Sequence, residues 1–216
     1  MNSLLRGCAT LLLLIASAGC SAHRPAAAPT AASSPVPSSA LLNRALLAPH
    51  DLGPSWTVQP KVLSLGYAVR GCAAATEATG PRLRPGASYA ETNVQAGPVG
   101  PFVDEALIVG PRTGARAEAV RLGGKLAACR HLTLGADDRV VELDLTPVHF
   151  TDGMVAARLD GNRSSLPVTG YVTYGPVDDR TAIAFLYLRF GDASSETAYR
   201  LYRLAFNKAR TSPRKD

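Results

Sequence analysis

Thr181-Ala182-Ile183-Ala184-Phe185-Leu186-Tyr187-Leu188-Arg189-Phe190 is an apolar run of strand length. Side chains on a strand alternate between its two faces. Ile183, Phe185 and Tyr187 therefore share one side, and Ala184, Leu186 and Leu188 share the other. Both sides are apolar, so the strand is expected at the centre of a sheet, covered above and below.

The segments before it read as further strands over residues 139–148, 153–159 and 167–174. Asp160-Gly161-Asn162 and Gly175-Pro176-Val177-Asp178-Asp179 are the expected turns. Such short connections imply an antiparallel meander. Val141, Leu143 and Leu145 alternate with Glu142 and Asp144, which gives that strand one wet face. Beyond the central strand, residues 194–209 read as a helix with Ser194 or Asp192 as cap and Glu196 in its first turn. Its inner face is Ala198, Leu201, Tyr202 and Ala205, and Arg200, Arg203, Asn207 and Arg210 form a basic outer stripe.

Further upstream, residues 87–95 and 102–109 read as a hairpin around Gly97-Pro98-Val99-Gly100-Pro101. In its second strand Phe102, Asp104 and Ala106 oppose Val103, Glu105 and Leu107. A helix capped by Thr113 then runs to about Arg130, and Ala115, Ala119, Leu122, Leu126 and Cys129 make its apolar face. Gly123-Gly124 in its middle costs about 2 kcal/mol against two alanines, a cost that a close helix-to-sheet contact would offset. At the N-terminal end, residues 40–47 suggest a short helix with Ser39 as cap, stopped by Pro49. Asp51-Leu52-Gly53-Pro54 forms a turn that leads Trp56, as a core anchor, into a strand over 56–59. Residues 60–85 look irregular and hold Cys72.

The first twenty residues do not belong to this fold. Arg6, a short apolar run and Ser17-Ala18-Gly19-Cys20 compose a secretory signal, too short to span a bilayer. Its end reads as a lipobox with Cys20 as the lipidated residue. The competing reading is an Ala16-Ser17-Ala18 site cut before Gly19, which releases a soluble protein. Residues after Cys20 are almost all Ala, Pro, Ser and Thr, a composition that buries no core and serves as an extended stalk. The expected organisation is a signal over 1–19, the lipidated cysteine and tether over 20–38, one domain over 39–210 and a basic tail over 211–216.

Export has a consequence for the remaining cysteines. Cys8 leaves with the signal and Cys20 takes the lipid, so Cys72 and Cys129 are the candidates for one disulfide in an oxidising compartment. That bond requires Cys72 to reach the buried side of the 113–130 helix, near its C-terminal end. The expected fold class is α+β, an antiparallel sheet of about five to seven strands with helices packed on it and one disulfide. Loss of Arg6 with the signal lowers the formal charge from +6 to +5. Lys208, Arg210, Arg214 and Lys215 gather part of that charge at the C-terminus, a pattern suited to anionic headgroups or wall polymers as well as to a solvated end. An exported lipoprotein does not meet nucleic acid, so none is expected as a partner.

No catalytic or cofactor motif is present: no nucleophile elbow, H-E-x-x-H, C-x-x-C or glycine-rich phosphate loop. His23 falls in the stalk, and His50, His131 and His149 lack ligand spacing. Asp137-Asp138 and Asp178-Asp179 are adjacent carboxylates in turns, which point apart. No metal or cofactor is expected. Tyr171, Tyr174 and Tyr187, with Tyr199 and Tyr202, are the candidate lining of a ligand cleft, or else core residues whose hydroxyls reach the rim.

The Leu-Leu helix, the Asp51-Leu52-Gly53-Pro54-Ser55-Trp56 turn, the cysteine loop, Gly100-Pro101-Phe102-Val103-Asp104-Glu105 and the helix ending Leu126-Ala127-Ala128-Cys129 form a recognisable order. This order resembles actinobacterial exported lipoproteins related to the PknH-type extracellular sensor domain. The resemblance implies a disulfide-stabilised antiparallel sheet with flanking helices and a cleft for an extracellular ligand. The kinase sensors carry two disulfides, whereas one is expected here, and neither a transmembrane helix nor a kinase domain is expected. The expected function is thus a non-catalytic, membrane-anchored lipoprotein of the cell envelope that binds a small ligand or an envelope protein. A hydrolase with a scattered triad using His50, His131 or His149, and a purely structural envelope protein, are the alternatives.

Overall fold

The computed structural model describes residues 36–59, 69–79, 86–110, 114–135, 140–150 and 153–212, all within the compact unit Ser33–Asp216. Cys20, the signal, most of the tether, Asp137-Asp138, Arg214 and Lys215 lie outside the described residues. In chain order the elements are α1 (Ser39–Ala45), α2 (Pro49–Leu52), β1 (Thr57–Val58), β2 (Val69–Arg70), α3 (Ala73–Thr79), β3 (Ser88–Gln95) and β4 (Phe102–Val109). They continue with α4 (Ala115–Ala128), β5 (His131–Leu134), β6 (Val141–Val148), β7 (Val155–Arg163), β8 (Leu166–Pro176), β9 (Thr181–Phe190) and α5 (Ser195–Thr211).

The strands join one sheet in the order β1-β3-β4-β9-β8-β7-β6-β5-β2, with every neighbouring pair antiparallel. β6 to β9 form the expected meander, β5 extends it by one unexpected strand, and β3–β4 is the expected hairpin. β9 sits inside the sheet with both faces buried. Its even-numbered residues Ala182 to Leu188 join a core on one side, and Ile183, Phe185 and Tyr187 join a second core on the other.

Helices complete the two cores. α3 and α4 cover one face through Ala74, Ala75, Ala115, Ala119, Leu122 and Leu126. α1 and α5 cover the other through Leu42, Ala45, Ala198, Leu201, Tyr202 and Ala205. Both long helices therefore bury the stripes expected from their periodicity. Gly123 faces Val155, whose Cγ2 would stand 3.0 Å from any added Cβ, so this glycine lets α4 approach the sheet closely. Gly124 has open space around it.

The disulfide Cys72–Cys129 is formed, with its Cα atoms 5.7 Å apart. It ties the start of α3 to the end of α4, where Cys72 also caps α3 by accepting from the Ala75 N–H with Sγ at 3.3 Å. Glu77 on α3 strengthens the contact through Arg121 at 2.5 Å and Lys125 at 3.1 Å.

Several expectations are corrected. The sheet has nine strands among the described residues, not five to seven. β2 and β5, with two and four residues, are too short to show an alternation, and β2 and α3 fall in the stretch read as irregular. Asp160-Gly161-Asn162 is not a turn but the continuation of β7. A Cβ on Gly161 would stand 2.2 Å from the Glu142 carbonyl oxygen, so this glycine serves strand proximity. The turn falls at Ser164 and Ser165, with φ of 49° and 66°, the left-handed pair of a two-residue hairpin. α1 is capped by Ser38, whose Oγ accepts from the Leu41 N–H at 3.3 Å, one residue before the expected Ser39. Pro49 opens α2 as its first residue. Gly114 is the N-cap of α4, and Thr113 lies outside the described residues. Trp56 precedes β1 and is half-buried against the α5-side core.

Candidate functional site

The sheet's α5-side face is only partly covered, because α5 rests on β8 and β9. On β5, β6 and β7 this face carries the polar side chains Thr133, Glu142, Asp144, Thr146, Arg158 and Asp160, and turns apolar only at the Val148–Ala156 pair. Antiparallel register lines them up. His131 lies opposite Asp144, Asp144 opposite Asp160, Asp160 opposite Thr169, and Thr169 opposite Arg189. One row thus crosses five strands. The adjoining row carries Thr146, Arg158, Tyr171 and Tyr187.

Within this shelf the charges are partly paired. His131 Nδ1 lies 2.5 Å from Asp144 Oδ1. Arg158 clamps Asp160 through Nε at 2.7 Å and 2.9 Å and Nη2 at 2.7 Å, which holds its guanidinium firmly in the charged form. Arg189 is exposed, with no carboxylate partner among the described residues, and its guanidinium sits beside the Tyr187 hydroxyl. Burial pushes that hydroxyl's pKa up while Arg189 pulls it down. The shelf presents donors from Arg158, Arg189 and His131 next to acceptors from Asp144 and Asp160. It suits a polar ligand carrying both hydrogen-bonding senses.

Of the three tyrosines read as a cleft lining, Tyr171 and Tyr187 stand side by side, ring centroids 6.4 Å apart, with their rings buried at the back of the shelf. Phe150 covers Tyr171 at 6.1 Å and contacts Tyr199 of α5 at 5.2 Å. Tyr174 belongs to the α3/α4-side core. The trio does not line one cleft, because positions 171 and 174 are an odd number apart on a strand and face opposite ways.

The histidines do not assemble. His50 lies on α2, His131 on β5 and His149 after β6, all exposed, and among the described residues no hydroxyl or thiol bonds any of their rings. Asp178 accepts from the Arg180 and Thr181 N–H groups at 2.8 Å and 2.7 Å, whereas Asp179 faces Arg116 at 3.8 Å. No cluster of metal-ligating side chains occurs among the described residues.

A second polar feature sits inside the sheet. Asp104 and Glu105 on β4 point to opposite faces, and both are buried. Burial raises the Asp104 pKa, with nearby Glu91 adding to the effect, and Asn93 reaches its Oδ1 at 3.2 Å when the amide is oriented to donate. Glu91 also bonds the Tyr89 hydroxyl. Glu105 is fully buried under α1. Its Oε2 accepts from the Leu47 N–H at 2.8 Å, its Oε1 has no partner among the described residues, and burial pushes its pKa up to about 8. Neither acid is singled out by the sequence reading, although two adjacent acids in an otherwise apolar strand are a signal that marks both.

The fold is that of a known extracellular domain. The extracellular domain of PknH from Mycobacterium tuberculosis superposes with a TM-score of 0.63 at 13% identity, covering 82% of this chain and 98% of that one. A putative uncharacterized protein from Mycobacterium smegmatis aligns with a TM-score of 0.35 at 13% identity, covering 76% of this chain and 84% of its own. No protein-family model and no curated protein matches the sequence. No described helix is long and apolar enough to cross a membrane.

Proposed function

We propose that this chain is a lipid-anchored extracytoplasmic protein whose domain binds a polar envelope ligand or partner through the shelf of β5–β9, without catalysis. The observation that carries this reading is the PknH-type sensor fold, matched over 98% of that domain. Three features support it: the signal ending in Cys20, a disulfide suited to an oxidising compartment, and a row of polar side chains with no nucleophile–base pair among them.

Soluble muropeptides from digested cell wall are the probe. They should raise the melting temperature of the parent protein and leave Arg189→Ala and Asp160→Ala variants unshifted. A muropeptide shift that survives both substitutions refutes the shelf as the binding face. Turnover of the fragments, lost on His131→Ala, refutes the non-catalytic reading.

A further inference from the structure

We propose that the outward face of α5 is a docking surface for an anionic phospholipid bilayer. This rests on the reading of Cys20 as an anchor, because the tether supplies the proximity. Arg200, Arg203, Asn207 and Arg210 recur at helical spacing opposite the buried stripe, and Glu196 is the helix's single acid. Arg200 and Arg210 are exposed, with no carboxylate partner among the described residues. Arg203 lies 6.0 Å over the Tyr199 ring, and Leu204, 39% exposed, adds an apolar contact between the arginines. The mixture of guanidinium, half-exposed aromatic and leucine suits the headgroup region of a membrane.

The partner is chosen by charge and by chain path. On the opposite helix layer Arg121 and Lys125 are paired with Glu77 and Glu118 and Arg116 faces Asp179, while Arg130 turns back to the Ala127 and Cys129 carbonyls, so that surface offers an anion less unmatched charge than α5 does. Lys208 of α5 is likewise committed to Asp51 at 2.6 Å and does not belong to the docking face. Residues 36 and 37, where the tether meets the domain, lie on the side of the sheet that α5 covers. Val36 packs into the α5-side core, Ser88 Oγ donates to the Pro37 carbonyl at 2.6 Å, and α1 packs beside α5. A short tether holds a linked surface at a roughly millimolar effective concentration, enough to make weak electrostatic docking persistent.

The test uses the whole mature chain with Cys20→Ser, which carries no acyl group. Flotation with phosphatidylcholine vesicles, alone or in equal parts with phosphatidylglycerol, should show binding only to the anionic set, and binding should weaken with salt. Arg200→Gln/Arg203→Gln/Arg210→Gln should lower the partition coefficient about a hundredfold, and Arg200→Gln/Arg210→Gln, which leaves the Tyr199 contact intact, about thirtyfold. Arg116→Gln/Arg130→Gln on the α4 layer should leave it unchanged. Absence of binding to anionic vesicles overturns the proposal. So does undiminished binding by the α5 variants, or an equal loss from the α4-layer variant. The anchor reading fails by a different observation, a native N-terminus without lipid on Cys20.

Discussion

Glu105→Gln is the substitution that interrogates the buried interior most sharply. The carboxyl is fully buried, and burial raises its pKa from 4.5 to about 8. The Leu47 N–H and Lys208 oppose that rise, Asp51 adds to it, and the burial effect wins. A folded-state pKa above the unfolded value means that the folded chain holds the proton more tightly. The stabilisation is complete below about pH 4.5 and is lost as pH rises through 8. Integrated between pH 5 and pH 8, the loss is about 3–4 kcal/mol. Glutamine keeps the shape, can accept from the Leu47 N–H and carries no charge at any pH. Urea unfolding of both proteins, disulfide intact, at pH 5, 6, 7 and 8 gives the difference curve in which other titrating groups cancel. The variant should match the parent near pH 5 and exceed it by about 3–4 kcal/mol at pH 8. Parallel curves across this range refute the reasoning.

The disulfide and the glycines of β7 and α4 carry further expected outcomes. Replacing Cys72 and Cys129 together with alanine should lower unfolding free energy by about 4 kcal/mol, the chain-entropy value for a separation of 57 residues, measured by chemical denaturation against the oxidised parent. Gly161→Ala should cost about 3 kcal/mol or more in the same assay, because the new methyl meets the Glu142 carbonyl of a neighbouring strand at 2.2 Å. Gly124→Ala should stabilise by about 1 kcal/mol, with nothing within 4 Å of its Cβ, while Gly123→Ala should gain less because Val155 stands at 3.0 Å.

What could be read from the residues alone was whatever repeats over a long enough window. The two-sided alternation of β9 placed it inside the sheet, and the three-four spacing of α4 and α5 named their buried faces correctly. Short elements escaped this logic, since neither Val69–Arg70 nor His131–Leu134 spans enough residues to show a period. Gly161 misled for another reason. A glycine needed for strand proximity carries the same sequence signal as one needed for a turn.

The shelf was less legible than the fold because it exists only across strands. Asp144, Asp160, Thr169 and Arg189 are far apart in sequence and meet through register alone. The traces available were local: Glu142 with Asp144, and Arg158 with Asp160, are polar residues two apart on strands whose other face is apolar. Composition picks out Tyr171 and Tyr187, and register sets them opposite each other. Tyr174, counted with them, is separated by strand parity.

The intact mass of the native protein extracted from producing cells decides whether the domain is held to a membrane by a lipid on Cys20. The predicted result is a chain that begins at Cys20 and carries diacylglycerol on its thiol. A chain that begins at Gly19 with Cys20 unmodified would contradict it.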